Sequence, residues 1–317
     1  MAVIGAGVAG CAAAAELSEA GIAVRLFDKG RVIGGRLAAK RLETPVGTVS
    51  GSIGAQYASA EGEEFAGRLA ALARAGHAAL WKPVGLDGDK QRLAGVPDMR
   101  ALVADAQTHA TARVAARVDR LQRDADGWHV LGPKFAEGPF AGLVVSAPAP
   151  QTSILLENQA PHIAARATEA RLTPCWATLL WFPTPVATGF DAAVLGHPML
   201  AWAARETSRP SASLPGDLWA VQTAPGWSDQ NLELGEAEAA AAVATAFAET
   251  AASGTQPVAM RAHRWRYALA SRPLGTPTLV DPSLRLATAG DWHLGPGLEA
   301  AWTSGRAAGR ALRELMA

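Results

Sequence analysis

Ala2-Val3-Ile4-Gly5-Ala6-Gly7-Val8-Ala9-Gly10-Cys11 sets a short apolar run, a turn with three glycines and the start of an alanine-rich segment side by side. Each glycine answers a separate need. Gly5 turns a strand into a helix, Gly7 lets a pyrophosphate approach the backbone, and Gly10 lets the helix pack closely on the strand. Val8 and Ala9 complete the turn, where the helix N-terminus presents N–H groups and the positive end of its dipole to phosphate. The alanine-rich segment Cys11–Ala20 is stopped by Gly21, and Ile22–Phe27 reads as a second buried strand. Asp28 ends that strand at the spacing where a carboxylate accepts hydrogen bonds from both ribose hydroxyls. This βαβ opening predicts an α/β chain with a Rossmann-type dinucleotide domain.

The rest of the chain is consistent with a folded protein of that class. It has 317 residues, 49% hydrophobic and 18% charged, enough for a sizeable core. Zero net charge argues against a sequence-independent grip on nucleic acid. Two cysteines, Cys11 and Cys175, make neither a disulfide framework nor a zinc site, so no metal is expected. With no signal-like segment ahead of Ala2 and no membrane-length apolar run, the expected location is the cytoplasm. The first strand starts almost at once, which predicts a short strand and reduced cofactor affinity.

Further along, Val46–Gly54 is rich in glycine and serine, and helical patterns cover Glu63–Ala75 and Asp98–Ala110. Alternation between Arg113 and Val130 predicts two strands turning at Asp126-Gly127, and Leu143–Ala147 a short buried strand. From Thr173 to Tyr267 the character changes. Strand candidates at Trp176–Phe182, Met199–Ala204, Leu218–Thr223 and Ala259–Tyr267 flank a helix at about Gly235–Ala252. Leu286–Gly290 reads as a strand returning to the first domain, and Leu298–Leu315 as the last helix. The expected division is a discontinuous nucleotide domain (1–60, 92–150 and 273–317) with an inserted domain of mixed or antiparallel sheet (61–91 and 151–272).

The residues just beyond the first motif separate FAD from NAD. Asp28-Lys29 leads into Gly34-Gly35-Arg36, where two glycines allow close backbone approach and a guanidinium offers paired contacts to phosphate. This pattern resembles the flavin amine oxidase superfamily. The resemblance implies an FAD-binding domain of the p-hydroxybenzoate hydroxylase and amine oxidase type, with Arg36 reaching the FAD pyrophosphate. Gly54-Ala55-Gln56-Tyr57 looks like the loop those enzymes run beside the flavin ring. Arg117–Leu121 resembles the strand whose valine backbone, here Val118, meets the adenine. Gly290-Asp291 and Leu298-Glu299-Ala300 through Ser304 resemble the closing motif, with the aspartate at the ribityl–phosphate region and the last helix aimed at the ring's pyrimidine edge. A positive dipole end there stabilises reduced flavin. No cysteine follows Cys175, so the FAD is expected to be non-covalent.

Within that superfamily, His263-Arg264-Trp265-Arg266-Tyr267, with Gly54–Tyr57, Cys175-Trp176 and the closing motif, resembles the renalase-like enzymes. The resemblance implies oxidation of off-pathway dihydronicotinamide isomers, NAD(P)H isomers, by hydride transfer to flavin N5, with O2 reoxidising the flavin to give H2O2. The partners would then be a small-molecule substrate, a nicotinamide nucleotide, and oxygen. On a strand His263, Trp265 and Tyr267 share one face and Arg264 and Arg266 the other. His263, Trp265 and Tyr267, with Gln56 and Tyr57, are the substrate-side candidates, and a packed aromatic face with surface arginines explains the same run equally well. Trp292-His293, beside the closing motif, reads as packing ahead of flavin contact. No lysine follows Lys134 and no second GxGxxG is present. The first absence argues against an amine oxidase with a late lysine at flavin N5, and the second makes any nicotinamide a substrate. A flavin-dependent amine oxidase and an electron-transfer flavoprotein with structural FAD remain the alternatives.

Overall fold

A computed structural model describes residues 1–86, 88, 90–210, 212–251 and 255–316. The chain divides into two compact units, unit 1 (Met1–Gly35, Leu102–Leu172, Leu269–Ala317) and unit 2 (Arg36–Ala101, Thr173–Ala268).

Unit 1 is built on a six-stranded sheet ordered Val280–Asp281, Leu286–Thr288, Leu143–Val145, Ala2–Ile4, Arg25–Phe27, Thr111–Arg113. All neighbours run parallel except the antiparallel Val280–Asp281 edge. Ala2–Ile4, Leu143–Val145 and Leu286–Thr288 are buried at every residue, which is why they read as continuous apolar runs. The first helix spans Val8–Glu19, starting three residues ahead of the expected segment because the helix begins inside the glycine turn. It packs on the last helix, Leu298–Glu314, closely enough that a Cβ at Gly305 would lie 2.1 Å from the Ala9 carbonyl oxygen. The same pair is joined by ion pairs from Arg306, Arg310 and Arg313 to the buried Glu16 carboxylate.

Unit 2 centres on a five-stranded sheet ordered Ala192–Val194, Leu200–Arg205, Asp217–Thr223, Arg171–Phe182, Ala259–Arg272. Alternate residues serve opposite faces. Leu180, Ala203, Trp219 and Val221 pack against Val243, Ala244 and Phe247 of the Glu236–Thr250 helix. Ala177, Leu179, Trp181, Leu218 and Ala220 face the other way, onto Leu42, Val49 and Ile53. The two central strands are therefore apolar on both sides. The predicted helix end at Ala252 lies outside the described residues.

Several expectations are corrected. The Gly/Ser-rich stretch contains a strand, Gly47–Ser52, paired with Ala39–Thr44 in a hairpin, because Val49 and the small residues around it fit beneath the large sheet. Asp98–Ala110 is not one helix but a 3-10 turn (Met99–Val103) and a short helix (Ala106–His109). The Asp98 carboxylate takes the Arg100 backbone N–H at 2.9 Å, a local bond that competes with helical geometry. A third strand, Phe135–Phe140, extends the expected Arg120–Arg123 and Trp128–Gly132 pair.

The compact units also differ from the expected division. Residues 36–60 and 92–101 cluster with the large sheet, the first segment through Leu42, Val49 and Ile53. Residues 151–172 cluster with the parallel sheet instead, since Leu156, Ala160 and Ile163 join its core.

Candidate functional site

In unit 1 the glycine turn is held by backbone contacts. A Cβ at Gly10 would lie 1.8 Å from the Gly5 carbonyl oxygen, so only glycine fits, and Gly5 itself has φ +100°. Gly7 is different: among the described residues, no atom beyond its own chain neighbours and helix lies within 4 Å of its Cβ position. It caps the first helix with no side-chain hydrogen bond and no acidic residue in the first turn. The N–H groups at Val8 and Ala9 therefore open the helix without a side-chain acceptor.

Asp28 sits at the end of its strand with both oxygens already oriented. One accepts the Ala6 N–H at 2.7 Å and the other the Gly30 N–H at 2.6 Å. A carboxylate has about four lone-pair positions, so two remain for ribose hydroxyls. Lys29 is exposed beside it. The Gly34 N–H donates to the Ala6 carbonyl at 2.7 Å, and a Cβ at Gly35 would meet the Gly7 Cα at 3.2 Å. The second glycine pair thus lies on the first turn.

At the closing motif, Gly290 adopts φ +151° against the Trp292 ring and donates its N–H to the Ser304 hydroxyl at 3.0 Å. Ser304 is fully buried and supports the turn. Asp291 is buried; Leu298, Glu299 and Ala300, half-buried, form the first turn of the last helix. Trp292 and His293 are also buried, stacked 3.8 Å apart. The Trp292 indole donates to the Ala147 carbonyl, and His293 bonds Thr288 and the Thr276 carbonyl at 3.0 and 2.9 Å. Burial pushes the His293 pKa down to about 4, so the ring is neutral at pH 7. Both residues pack the turn. Val118, expected on a strand, precedes the Arg120–Arg123 strand and is half-buried against the unit 1 core. Its neighbour Asp119 donates its N–H to the Leu131 carbonyl at 2.9 Å.

In unit 2, Arg36 lies in a 3-10 turn and donates to the Ala268 carbonyl at 2.8 Å. A Cβ at Gly54 would fall 1.8 Å from the Arg36 carbonyl oxygen, so this too is a forced glycine. Ala55 donates its N–H to that same oxygen at 2.9 Å.

Gln56 is buried, and its amide is occupied. Nε2 donates to the Ser52 and Gly54 carbonyls at 2.9 and 3.0 Å, while Oε1 accepts from Arg209 at 2.5 Å. Its polar groups therefore hold the loop. Tyr57 is half-buried, 6.3 Å from the Trp81 ring and 6.0 Å from the Trp202 ring, with the Arg92 guanidinium over its face. Trp81, Trp202, Arg92 and Arg209 were not among the sequence candidates. They lie far from Tyr57 in sequence and belong to no motif.

The 263–267 run divides as its alternation requires. His263 and Trp265 meet edge to face at 4.5 Å, and the Trp265 indole donates to the Ile53 carbonyl. Burial lowers the His263 pKa to about 4, helped by the nearby Lys40 charge. Tyr267 is half-buried further along the strand. On the other face Arg264 and Arg266 both pair with the exposed Glu233. Among the described residues, no cluster of three His, Cys, Asp or Glu could hold a metal, and no helix is long and apolar enough to cross a membrane.

Residues 3–67 match the NAD(P)-binding Rossmann-like domain family. A protoporphyrinogen oxidase so described from Exiguobacterium sp. superposes with a TM-score of 0.76 at 11% identity, covering 99% of this chain and 98% of its own. Cyclohexylamine oxidase from Brevibacterium oxydans gives 0.69 at 12% identity, with coverage of 99% and 98%. Putrescine oxidase bound to putrescine gives 0.67 at 11% identity over the same shares. The chain has the fold these oxidases share, a Rossmann-like domain with mixed parallel and antiparallel sheets.

Proposed function

We propose that this chain is an FAD-dependent oxidoreductase that holds its flavin non-covalently. The observation that carries the reading is the uncapped helix N-terminus at Gly7, open on its approach side, with the Asp28 carboxylate already aimed at the end of the next strand. A diphosphate with a ribose on one end fits both features. Gly34, Gly35 and Arg36, the Gly54–Gln56 backbone, Val118 and the Gly290–Asp291 turn with Leu298–Ala300 are the further proposed cofactor residues. Both cysteines are buried, and burial pushes the Cys175 thiol up to about 11, which disfavours a thiolate attachment.

The proposed donor is a dihydronicotinamide nucleotide in its 2- or 6-dihydro form. Such a donor gives up a hydride and leaves as an aromatic pyridinium, so no proton is abstracted and no base is required. His263, neutral at pH 7 and packed on Trp265, suits that chemistry as a wall of the donor site with Tyr57 and Tyr267. Bound FAD would take the hydride at N5 and pass two electrons to O2, which with the flavin N5 hydrogen and one proton from water gives H2O2.

An amine oxidase is the second reading, supported by the aromatic surroundings of Tyr57. Electrostatics count against it. One guanidinium already lies over the Tyr57 ring and another over Trp81, at 5.8 and 4.6 Å, where a protonated amine would meet like charge. Precipitating the protein and assaying the supernatant tests the cofactor: released FAD supports the reading, and NAD alone overturns it. Anaerobic mixing with 2- and 6-dihydro-NAD(P), with 4-dihydro-NAD(P)H and with cyclohexylamine or putrescine then tests the donor. Fast bleaching by the first pair alone is expected. Fast bleaching by an amine, with the isomers inert, transfers the chain to the second reading.

A further inference from the structure

Arg209 sits at the centre of a buried network in unit 2. Its Nε pairs with the Glu206 carboxylate at 2.6 Å, and its two terminal nitrogens donate to the Gln56 backbone carbonyl and side-chain Oε1, each at 2.5 Å. The other Glu206 oxygen accepts the Ser52 N–H at 2.8 Å, and the Gln56 amide returns to the Ser52 and Gly54 carbonyls. Gln222 adds a second donor to Gly54 at 2.7 Å. The guanidinium also lies 4.6 Å from the centre of the Trp81 ring, which backs Tyr57. Both charged side chains are almost fully buried, 9% and 4% exposed.

A buried ion pair is a poor source of stability, because desolvation offsets most of the attraction and packed apolar side chains would serve as well. What it does supply is geometry. The Ser52, Ile53, Gly54 and Gln56 carbonyls all accept hydrogen bonds, and a bidentate guanidinium locks both the main chain and the side chain of one residue at once. Tyr57 is the next residue.

We propose that Arg209, oriented by Glu206, is a positioning residue that fixes the Gly54–Tyr57 segment and thereby the Tyr57 ring against Trp81 and Trp202. That Tyr57 faces the donor rests on the function proposed above; the hold on Tyr57 rests on unit 2 alone. Arg209 reaches the donor only through Gln56 and Trp81.

The chain has two tyrosines, Tyr57 and Tyr267, so incorporation of 3-fluorotyrosine gives two fluorine resonances, assignable with Tyr267→Phe. The paired change Arg209→Met with Glu206→Gln leaves no uncompensated charge buried. Arg209→Lys is the second variant, keeping the charge for Glu206 but losing the fork that grips Gln56. In both, the Tyr57 resonance is expected to shift and broaden while that of Tyr267 stays in place. At saturating 6-dihydro-NAD, flavin reduction should slow on the order of tenfold to a hundredfold, the usual penalty of misplacement, with donor affinity far less changed. Folded variants that keep the wild-type Tyr57 resonance overturn the proposal. A moved resonance with an unchanged reduction rate also overturns it as a positioning role. If the protein holds no flavin, the function above fails, and the fluorine spectrum alone decides whether Arg209 positions Tyr57.

Discussion

The Gly5–Gly10 turn of unit 1 and the Gly54–Tyr57 segment of unit 2 are both short and both contain a glycine that nothing else could replace, yet they are held by different means. In the first, backbone lies on backbone: Gly10 against Gly5, Gly35 against Gly7, Ala9 beneath Gly305. In the second, one backbone crowding at Arg36 is joined by side chains from remote segments, Arg209, Glu206 and Gln222. A turn held by sterics fails by collision, all at once. One held by a polar network fails partner by partner, and its consequences are graded.

The largest expected effect comes from Gly10→Ala. Its methyl would have to displace a backbone carbonyl 1.8 Å away, a collision no rotamer relieves. Destabilisation of about 3 kcal/mol or more is expected, at the top of the overpacking range, read by denaturant unfolding. Gly7→Ala is the matched control, since its Cβ meets nothing within 4 Å. That variant should unfold like wild type but purify with little FAD. Equal loss of stability in the two would remove the distinction between a packing glycine and a ligand-facing one.

Next is Asp28→Ala. The carboxylate oxygens clamp the Ala6 and Gly30 N–H groups, so the change removes both a brace for the turn and the proposed ribose acceptor. FAD binding should weaken by about 1.5–3 kcal/mol, the scale of a charged hydrogen bond, in a fluorescence titration of the apoprotein. Wild-type affinity would mean that the nucleotide site lies elsewhere.

The contrast between the two regions also accounts for how much of the molecule is legible in its sequence. The turn, Asp28 and the strands around them are legible because glycine spacing and apolar runs are local signals. Helices and strands of the large sheet emerge from alternation and alanine content. The Gly47–Ser52 strand is hidden because its small residues are set by what lies above them, Leu179 and Leu218 beside Gly51, not by β propensity. Ser304 and Gln56 carry a motif, but the sequence does not show their internal bonds, a hydroxyl under the Gly290 turn and an amide gripped by Arg209. Trp81, Trp202 and Arg209 have no local signal at all.

A pH effect of intermediate size arises from His293. Its pKa falls from 6.5 to about 4 in the folded protein, so between those values the unfolded chain binds the extra proton. The contribution is fully present above pH 6.5, is lost as pH falls toward 4, and then levels off. For a fully buried ring the loss is on the order of 3 kcal/mol. His263 adds a weaker effect of the same sign, reduced by its partial exposure. Urea unfolding of wild type and His293→Asn at pH 7 and pH 5 measures it. The variant should be less stable at pH 7 but show a shallower pH slope, and parallel slopes would assign the acid sensitivity to other groups.

The smallest expected effect tests whether Arg264 and Arg266 can also serve the pyrophosphate that the proposed donor carries. Both now pair with Glu233, and Arg264 also donates to the Leu232 carbonyl. Glu233 is exposed, with a side chain 70% accessible, so water competes for it and the pairing is readily exchanged. The two arginines also hold its carboxyl below the usual range, Arg266 foremost, so the competition is unchanged down to mildly acid pH. Glu233→Ala should therefore leave the melting temperature within about 2 °C of wild type, as surface changes usually do. If the arginines meet phosphate, removing the competing carboxylate should tighten donor binding a few-fold at low salt and barely change the rate of reduction at saturation. The gain should fade as ionic strength shortens the screening length to below about 8 Å. An affinity indifferent to both the substitution and salt would make Arg264 and Arg266 structural, clasping the 232–234 turn to the strand's outer face. The donor-facing role would then belong to the aromatic side of that strand alone.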